Sequence, residues 1–211
     1  MKTPVTVETF ARAESDAAIE QLVDMVGFSS WFHFREPVPI DQQTVIRMNR
    51  DTLYSSVVLD LSESATITMP ETDGRYQSLH VIDQDHYSYA ETTPGRYEIT
   101  EERVGTRYAY IIVRTLLDPD DLAATTALQD GLRAEGGGRG PLEIPDWDTD
   151  QMMIARDALN TLLQLGATNE RAFGTRDEVD PIEHLLYTPS TPPLHHLYTT
   201  STSPVDGARC P

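Results

Sequence analysis

Leu53-Tyr54-Ser55-Ser56-Val57-Val58-Leu59-Asp60-Leu61 is the stretch on which the fold turns. It is rich in valine and leucine and predicts a strand. Outward from it, residues 65–69 alternate small apolar residues with threonine, 76–82 read as strand, and 108–116 are β-branched and aromatic. Ser62-Glu63-Ser64, Asp73-Gly74 and Pro94-Gly95 signal turns between them. Short strands joined by tight turns predict an antiparallel sheet or β-sandwich.

Helices flank this region. Phe10, Ala18, Leu22, Val23 and Val26 recur near helical spacing in residues 7–26, with Glu8 in the first turn and Gly27 at the stop. An aromatic segment, 28–34, follows and ends at Pro37 and Pro39. It is expected to pack on the core with His33 satisfied internally. Asp118-Pro119-Asp120-Asp121 predicts a helix to about residue 133, with Asp118 as cap and Pro119 in the first turn. Residues 135–141 read as a flexible glycine-rich loop, without the lysine and the strand-to-helix setting of a phosphate cradle. Asp148 with Gln151, then Met152, Leu159, Leu162 and Leu163 ahead of Gly166, predicts a further helix. The expected class is α+β: an antiparallel β-sheet or β-sandwich core with an N-terminal helix and two C-terminal helices. Residues 1–36 hold the N-terminal helix and aromatic segment, 37–186 the β-rich domain with its following helices, and 187–211 a weakly ordered Thr/Ser/Pro-rich tail.

Composition excludes several functions. Among 211 residues, 34 Asp and Glu oppose 16 Lys and Arg, a formal net charge of -18 that repels a phosphate backbone, so no nucleic acid is expected as partner. Lys2 is the only lysine, which fits either an arginine-favouring coding bias or a strongly hydrated acidic surface. Cys210 is the only cysteine, so no intramolecular disulfide or thiolate cluster forms. No signal-peptide core and no membrane-length apolar run is visible, so no membrane is expected and the cytoplasm is the expected address. Gly-x-Ser-x-Gly, Gly-Lys-Ser/Thr and His-Glu-x-x-His are all missing.

Two polar clusters carry the candidate chemistry. The first is Arg47-Met48-Asn49-Arg50-Asp51-Thr52-Leu53-Tyr54. Arg50 suits an anionic group, Asp51 orients it or a base, and Tyr54 supplies a phenol donor; the same residues also fix turns through side-chain bonds to backbone. Strand alternation places Arg50, Thr52 and Tyr54 on one face and Asn49 and Asp51 on the other. The second cluster runs from Arg75 to Tyr89, with Tyr76, Ser78, His80 and Ile82 on one face and Asp83, Asp85, His86 and Tyr87 at the strand end. Carboxylates beside imidazole suit an acid–base pair or, at Asp83, Asp85 and His86, a divalent metal, although the spacing matches no established metal motif. A hydrogen-bonded network at a sheet edge uses the same groups. No other cofactor is expected. His195-His196 is read as surface in the tail.

These clusters resemble domain-of-unknown-function family 1254. The resemblance rests on Val45-Ile46-Arg47-Met48-Asn49-Arg50-Asp51-Thr52-Leu53-Tyr54-Ser55, on Gly74-Arg75-Tyr76-Gln77-Ser78-Leu79 and on Asp83-Gln84-Asp85-His86-Tyr87. It continues through Val104-Gly105-Thr106-Arg107-Tyr108 to Phe173-Gly174-Thr175-Arg176 and Asp180-Pro181-Ile182. It implies a β-rich domain, often followed by a family 1214 domain and often exported; some relatives bear carboxylesterase labels, for which this chain lacks the serine elbow. After residue 186 the chain departs from the pattern, and Pro204-Val205-Asp206-Gly207 resembles the start of a later motif. The expectation is a truncated longer protein, testable by finding the second domain in another downstream reading frame. Two functions stay open. One is an enzyme, or degraded enzyme, acting on a small-molecule ligand through Arg50, Asp51, Tyr54, Asp83, Asp85 and His86. The other is a non-catalytic binding or assembly module, including a homo-oligomer.

Overall fold

A computed structural model describes residues 2–37, 50–166 and 168–188. Along the chain these form α1 (Phe10–Val26), β1 (Phe32–His33), β2 (Thr52–Met69), β3 (Gln77–Asp83), β4 (Ser88–Glu91), β5 (Gly95–Ile99), α2 (Glu101–Val104), β6 (Tyr108–Leu116), α3 (Leu122–Asp130), β7 (Arg133–Gly138), α4 (Thr149–Leu163) and α5 (Pro181–Tyr187). The class is α+β. The strands make one antiparallel sheet in the order β1-β2-β6-β3-β4, with β5 and β7 both paired to β2.

The 18-residue β2 organises the sheet. Its first half pairs with β6, from Thr52↔Leu116 to Asp60↔Tyr108, and its second half pairs with β5 and β7 around Ile67. Period-two alternation sends Val57 and Leu59 to one face and Val58 to the other. Val57, Leu59, Leu79, Val81, Ile111 and Val113 share a core with Ile67, Met69 and Ile99 from the curled-over half. On the opposite face Val58, Ile82, Tyr108, Tyr110 and Ile112 pack against Ala18, Ile19 and Leu22 of α1. Both faces are buried, which accounts for the unbroken apolar run Val57-Val58-Leu59. Phe10 and Ala13 of α1 meet Met152 and Leu159 of α4 in a smaller cluster. His33 is satisfied internally, its Nδ1 lying 2.8 Å from Ser55 Oγ.

Several local expectations are corrected. Ser62-Glu63-Ser64 is not a turn between strands but part of β2. The strand bends there because Asp60, 1% exposed, accepts the Ser62 amide at 3.0 Å and two Arg107 donors at 3.0 Å, and the β7 register shifts between Asp60 and Ala65. The glycine-rich segment 135–141 is not a free loop, since residues to Gly138 are strand β7. A Cβ on Gly136 would lie 2.7 Å from Ser64 O and one on Gly138 2.3 Å from Ser62 Oγ, so glycine lets β7 cross the bend. Helix α3 is capped by Asp121, which accepts from Ala124 N, rather than by Asp118, and it ends at Asp130 instead of 133. Asp118 instead accepts from the Asp120 amide in a turn ahead of the helix. Asp121→Ala is therefore expected to lower stability by about 1 kcal/mol and Asp118→Ala by less, read from urea-unfolding midpoints. Helices α2 and α5 and strands β4 and β5 were not anticipated. Asp180 caps α5 with Pro181 in its first turn, the same signal that marked the 118–121 region. Val45, Ile46, Arg47, Met48, Asn49, Pro39 and residues 189–211, with His195, His196 and the 204–207 run, lie outside the described residues.

Candidate functional site

The two polar clusters occupy opposite ends of the sheet. Asp83 pairs with Ala109 on β6 and Tyr54 with Arg114, five residues along that strand, or roughly 17 Å at a strand's rise. Asp83, Asp85 and His86 come together, whereas Arg50, Asp51 and Tyr54 are remote from them. Arg50 and Asp51 are exposed just before β2, and Asp51 accepts the Leu117 amide through its carbonyl.

The β3–β4 turn is built by its own side chains. Asp83 accepts the Tyr87 amide at 2.9 Å, and the backbone reverses through His86 at φ 71. Arg176 donates to Asp83 Oδ2 at 2.8 Å and to Asp85 Oδ2 at 2.7 Å; Arg12 of α1 closes on the other Asp85 oxygen at 2.7 Å through Nε and 2.6 Å through a terminal nitrogen. His86 Nδ1 lies 3.1 Å from Ser15 Oγ. Next to it, Asp16 is 0% exposed and accepts Gln84 Nε2 at 2.7 Å and Trp147 Nε1 at 2.8 Å. On the outer side Arg176 covers the Tyr87 ring at 4.2 Å, and His184 of α5 stacks on the same ring at 4.5 Å. The His184 ring nitrogens sit 3.2 Å from Ala172 O and 3.1 Å from Asp85 O. The turn thus ties α1, α5 and the segment around Arg176 to the sheet.

Electrostatics follow from this enclosure. Burial pushes the Asp83 carboxyl above its ordinary range, and the Tyr87 amide and Arg176 offset part of that rise. Burial acts the same way on Asp85, but hydrogen bonds from Arg176 and Arg12 outweigh it and hold the carboxyl low. Burial also raises Asp16 against the donors Gln84 and Trp147. His86 is lowered to about 4 by burial, with His184 and His80 adding to the shift, so its imidazole is neutral at pH 7. No group of three or more His, Cys, Asp or Glu among the described residues is placed to hold a metal ion, and Asp83, Asp85 and His86 are directed to arginines and Ser15 instead.

Beside Asp83 a cleft of about 260 Å³ opens between β4, α2 and residues 175–177. Its lining includes Tyr87, Tyr89, Glu102, Arg103, Arg176 and Asp177. Arg103 lies 4.3 Å over the Tyr89 ring and pairs with Glu91 at 2.7 Å. The Tyr89 hydroxyl is buried with no hydrogen-bond partner among the described residues. Sequence reasoning singled out Asp83, Asp85 and His86 but missed Arg12, Ser15, Asp16 and His184. Arg12, Ser15 and Asp16 do share one helix face by their spacing, a polar stripe on a helix otherwise read for its apolar one.

A family model described as "Protein of unknown function (DUF1254)" matches residues 29–136, just over half of the chain. The chain belongs to the DUF1254 family. The match runs from β1 into β7 and so includes Arg50, Tyr54, Asp83, Asp85 and His86, while Arg12, Arg176 and His184 lie outside it. The crystal structure of the VPA0106 protein from Vibrio parahaemolyticus is similar with a TM-score of 0.61 at 14% identity, covering 87% of this chain and 65% of that one. This DUF1254 chain therefore spans about two thirds of that protein's length, and the likeness establishes the fold alone. A crystal structure of an uncharacterised protein from Burkholderia cenocepacia aligns with a TM-score of 0.37 at 13% identity, over 92% of this chain and 51% of that one. No curated protein matches the chain. No helix among the described residues is long and apolar enough to cross a membrane.

Proposed function

We propose that this DUF1254 domain is a non-catalytic binder of a small polar molecule, held in the cleft beside Asp83. The observation that carries the reading is Tyr89, which lines the cleft and whose hydroxyl is buried behind it with no hydrogen-bond partner among the described residues. Leaving a buried donor unsatisfied costs about 1–3 kcal/mol, which a ligand acceptor would recover. Arginine donors and carboxylate acceptors stand together around it, so a ligand carrying both kinds of group, such as a polyol, sugar or amino acid, suits the lining. The volume, about 260 Å³, falls just under the roughly 300 Å³ at which pockets for drug-sized ligands begin, which favours a small metabolite. Asp85 and His86 serve here as fasteners: the carboxylate is held by two arginines and the imidazole by Ser15 inside the fold.

A thermal-shift screen of sugars, polyols and amino acids tests the reading. A compound that stabilises the protein is expected to bind about tenfold more weakly to Tyr89→Phe and Arg103→Ala, and undiminished to His86→Asn. Without ligand, Tyr89→Phe should be neutral or slightly stabilising, because it removes an orphaned hydroxyl. Turnover of a bound compound that disappears in His86→Asn would instead restore the catalytic reading.

Self-association is a second reading, favoured by one observation. Ile154 and Leu162 of α4 and Leu165 just past its end are 70%, 51% and 82% exposed, and Ile182 of α5 is 70% exposed. Sedimentation across a dilution series should then show a concentration-dependent mass that Leu162→Glu abolishes. A monomer at every concentration removes this reading.

A further inference from the structure

At the other end of the sheet, on the face that carries α1, a second polar group forms around an arginine that sequence reading passed over. Tyr54 of β2, Arg114 of β6 and Ser78 of β3 stand side by side in register. His80, in the next row of that face, stands opposite Ile112. The Arg114 guanidinium lies 5.5 Å from the Tyr54 ring centroid. Eight arginines hold carboxylates among the described residues, and Arg114 is not one of them. Among the described residues its buried Nε has no hydrogen-bond partner, and neither has the buried Thr52 Oγ1, one row along the same face. In a chain of net charge -18, a half-buried cation without a carboxylate and beside an orphaned hydroxyl is an incomplete constellation.

We propose that Arg114 anchors the carboxylate of a small ligand whose body lies against Tyr54 and Ile112, with His80, Ser78 and Thr52 completing the polar rim. A guanidinium presents a planar fork that matches a carboxylate. Burial, aided by the Arg114 charge, holds His80 at about 4 and therefore neutral at pH 7, so the group carries a single positive charge. A monoanion balances it. A phosphate dianion would leave one charge uncompensated in a half-buried setting. This site is independent of the cleft beside Asp83.

The test is an NMR titration of the full ¹⁵N-labelled chain with sodium benzoate, following arginine Nε–H signals, with sodium chloride and inorganic phosphate as comparison salts. The Arg114 signal, identified by its loss in Arg114→Lys, is expected to shift saturably with benzoate and not with the other salts. Arg114→Lys, followed through backbone amides of β3 and β6, should weaken benzoate binding about tenfold, since a lysine cannot offer the fork. Tyr54→Leu should weaken it as well, while Tyr89→Phe should leave it unchanged, which separates this site from the cleft. A flat Arg114 signal in the wild-type protein overturns the proposal whatever the variants do. Phosphate binding as tight as benzoate, or unaltered affinity in folded Arg114→Lys, overturns it too.

Discussion

Gly136→Ala is expected to destabilise the protein by about 2–4 kcal/mol. Two penalties combine. Gly136 has φ 77, a conformation that costs an L-residue roughly 1–2 kcal/mol. The added Cβ would lie 2.7 Å from the Ser64 carbonyl oxygen, a backbone atom of the neighbouring strand that cannot rotate away. Gly140→Ala supplies the control, because a Cβ there meets nothing within 4 Å and its φ is ordinary. Urea unfolding of both variants should separate them clearly, with Gly140→Ala near the wild-type midpoint. Equal midpoints would mean that β7 does not run across the bend in β2.

The second large effect is on the pH dependence of stability. His86 titrates at about 4 in the fold against 6.5 in an exposed imidazole, so the unfolded chain takes up the proton first. Its contribution is whole above pH 6.5, declines as the pH falls towards 4, and is lost below that. The slope approaches about 1.4 kcal/mol per pH unit, and the total is about 3 kcal/mol. Asp85, held low, also loses its contribution in acid, whereas Asp16 and Asp83, raised by burial, act in the opposite sense and strengthen the fold as protons are added. His86→Asn isolates the imidazole, since asparagine tolerates the positive φ and does not titrate. The variant is expected to be less stable at pH 7 but to lose stability more slowly between pH 6.5 and 4. Parallel stability curves for the two proteins would show that His86 is not enclosed as described.

The part of this architecture legible in the sequence is the part set by local pattern. The apolar run Val57-Val58-Leu59, the β-branched stretch ending at Leu116, the Gly27 stop of α1 and the Asp148 cap of α4 each announce an element by propensity or by a capping group, because those signals act within a few residues. Residues 133–138 failed the same reading. Consecutive glycines carry no strand propensity, and only the approach of β7 to Ser62 and Ser64 shows why side chains are excluded there.

The candidate site divides along the same line. Alternation put Asp83, Asp85 and His86 at one strand end and warned that Arg50, Asp51 and Tyr54 could not all share a pocket. It had no means of revealing that Arg12 and Arg176 neutralise Asp85, or that the register of β2, β6 and β3 sets Tyr54, Arg114 and Ser78 abreast. The sequence by itself determined the longer elements, α1, α3 and α4 with β2, β3 and β6, and that the chain is an acidic α+β domain. Tertiary structure alone decided which polar groups are already partnered and which, like Tyr89 and Arg114, hold buried atoms without a partner among the described residues, because pairing of charges and hydrogen bonds depends on residues brought together from distant parts of the chain.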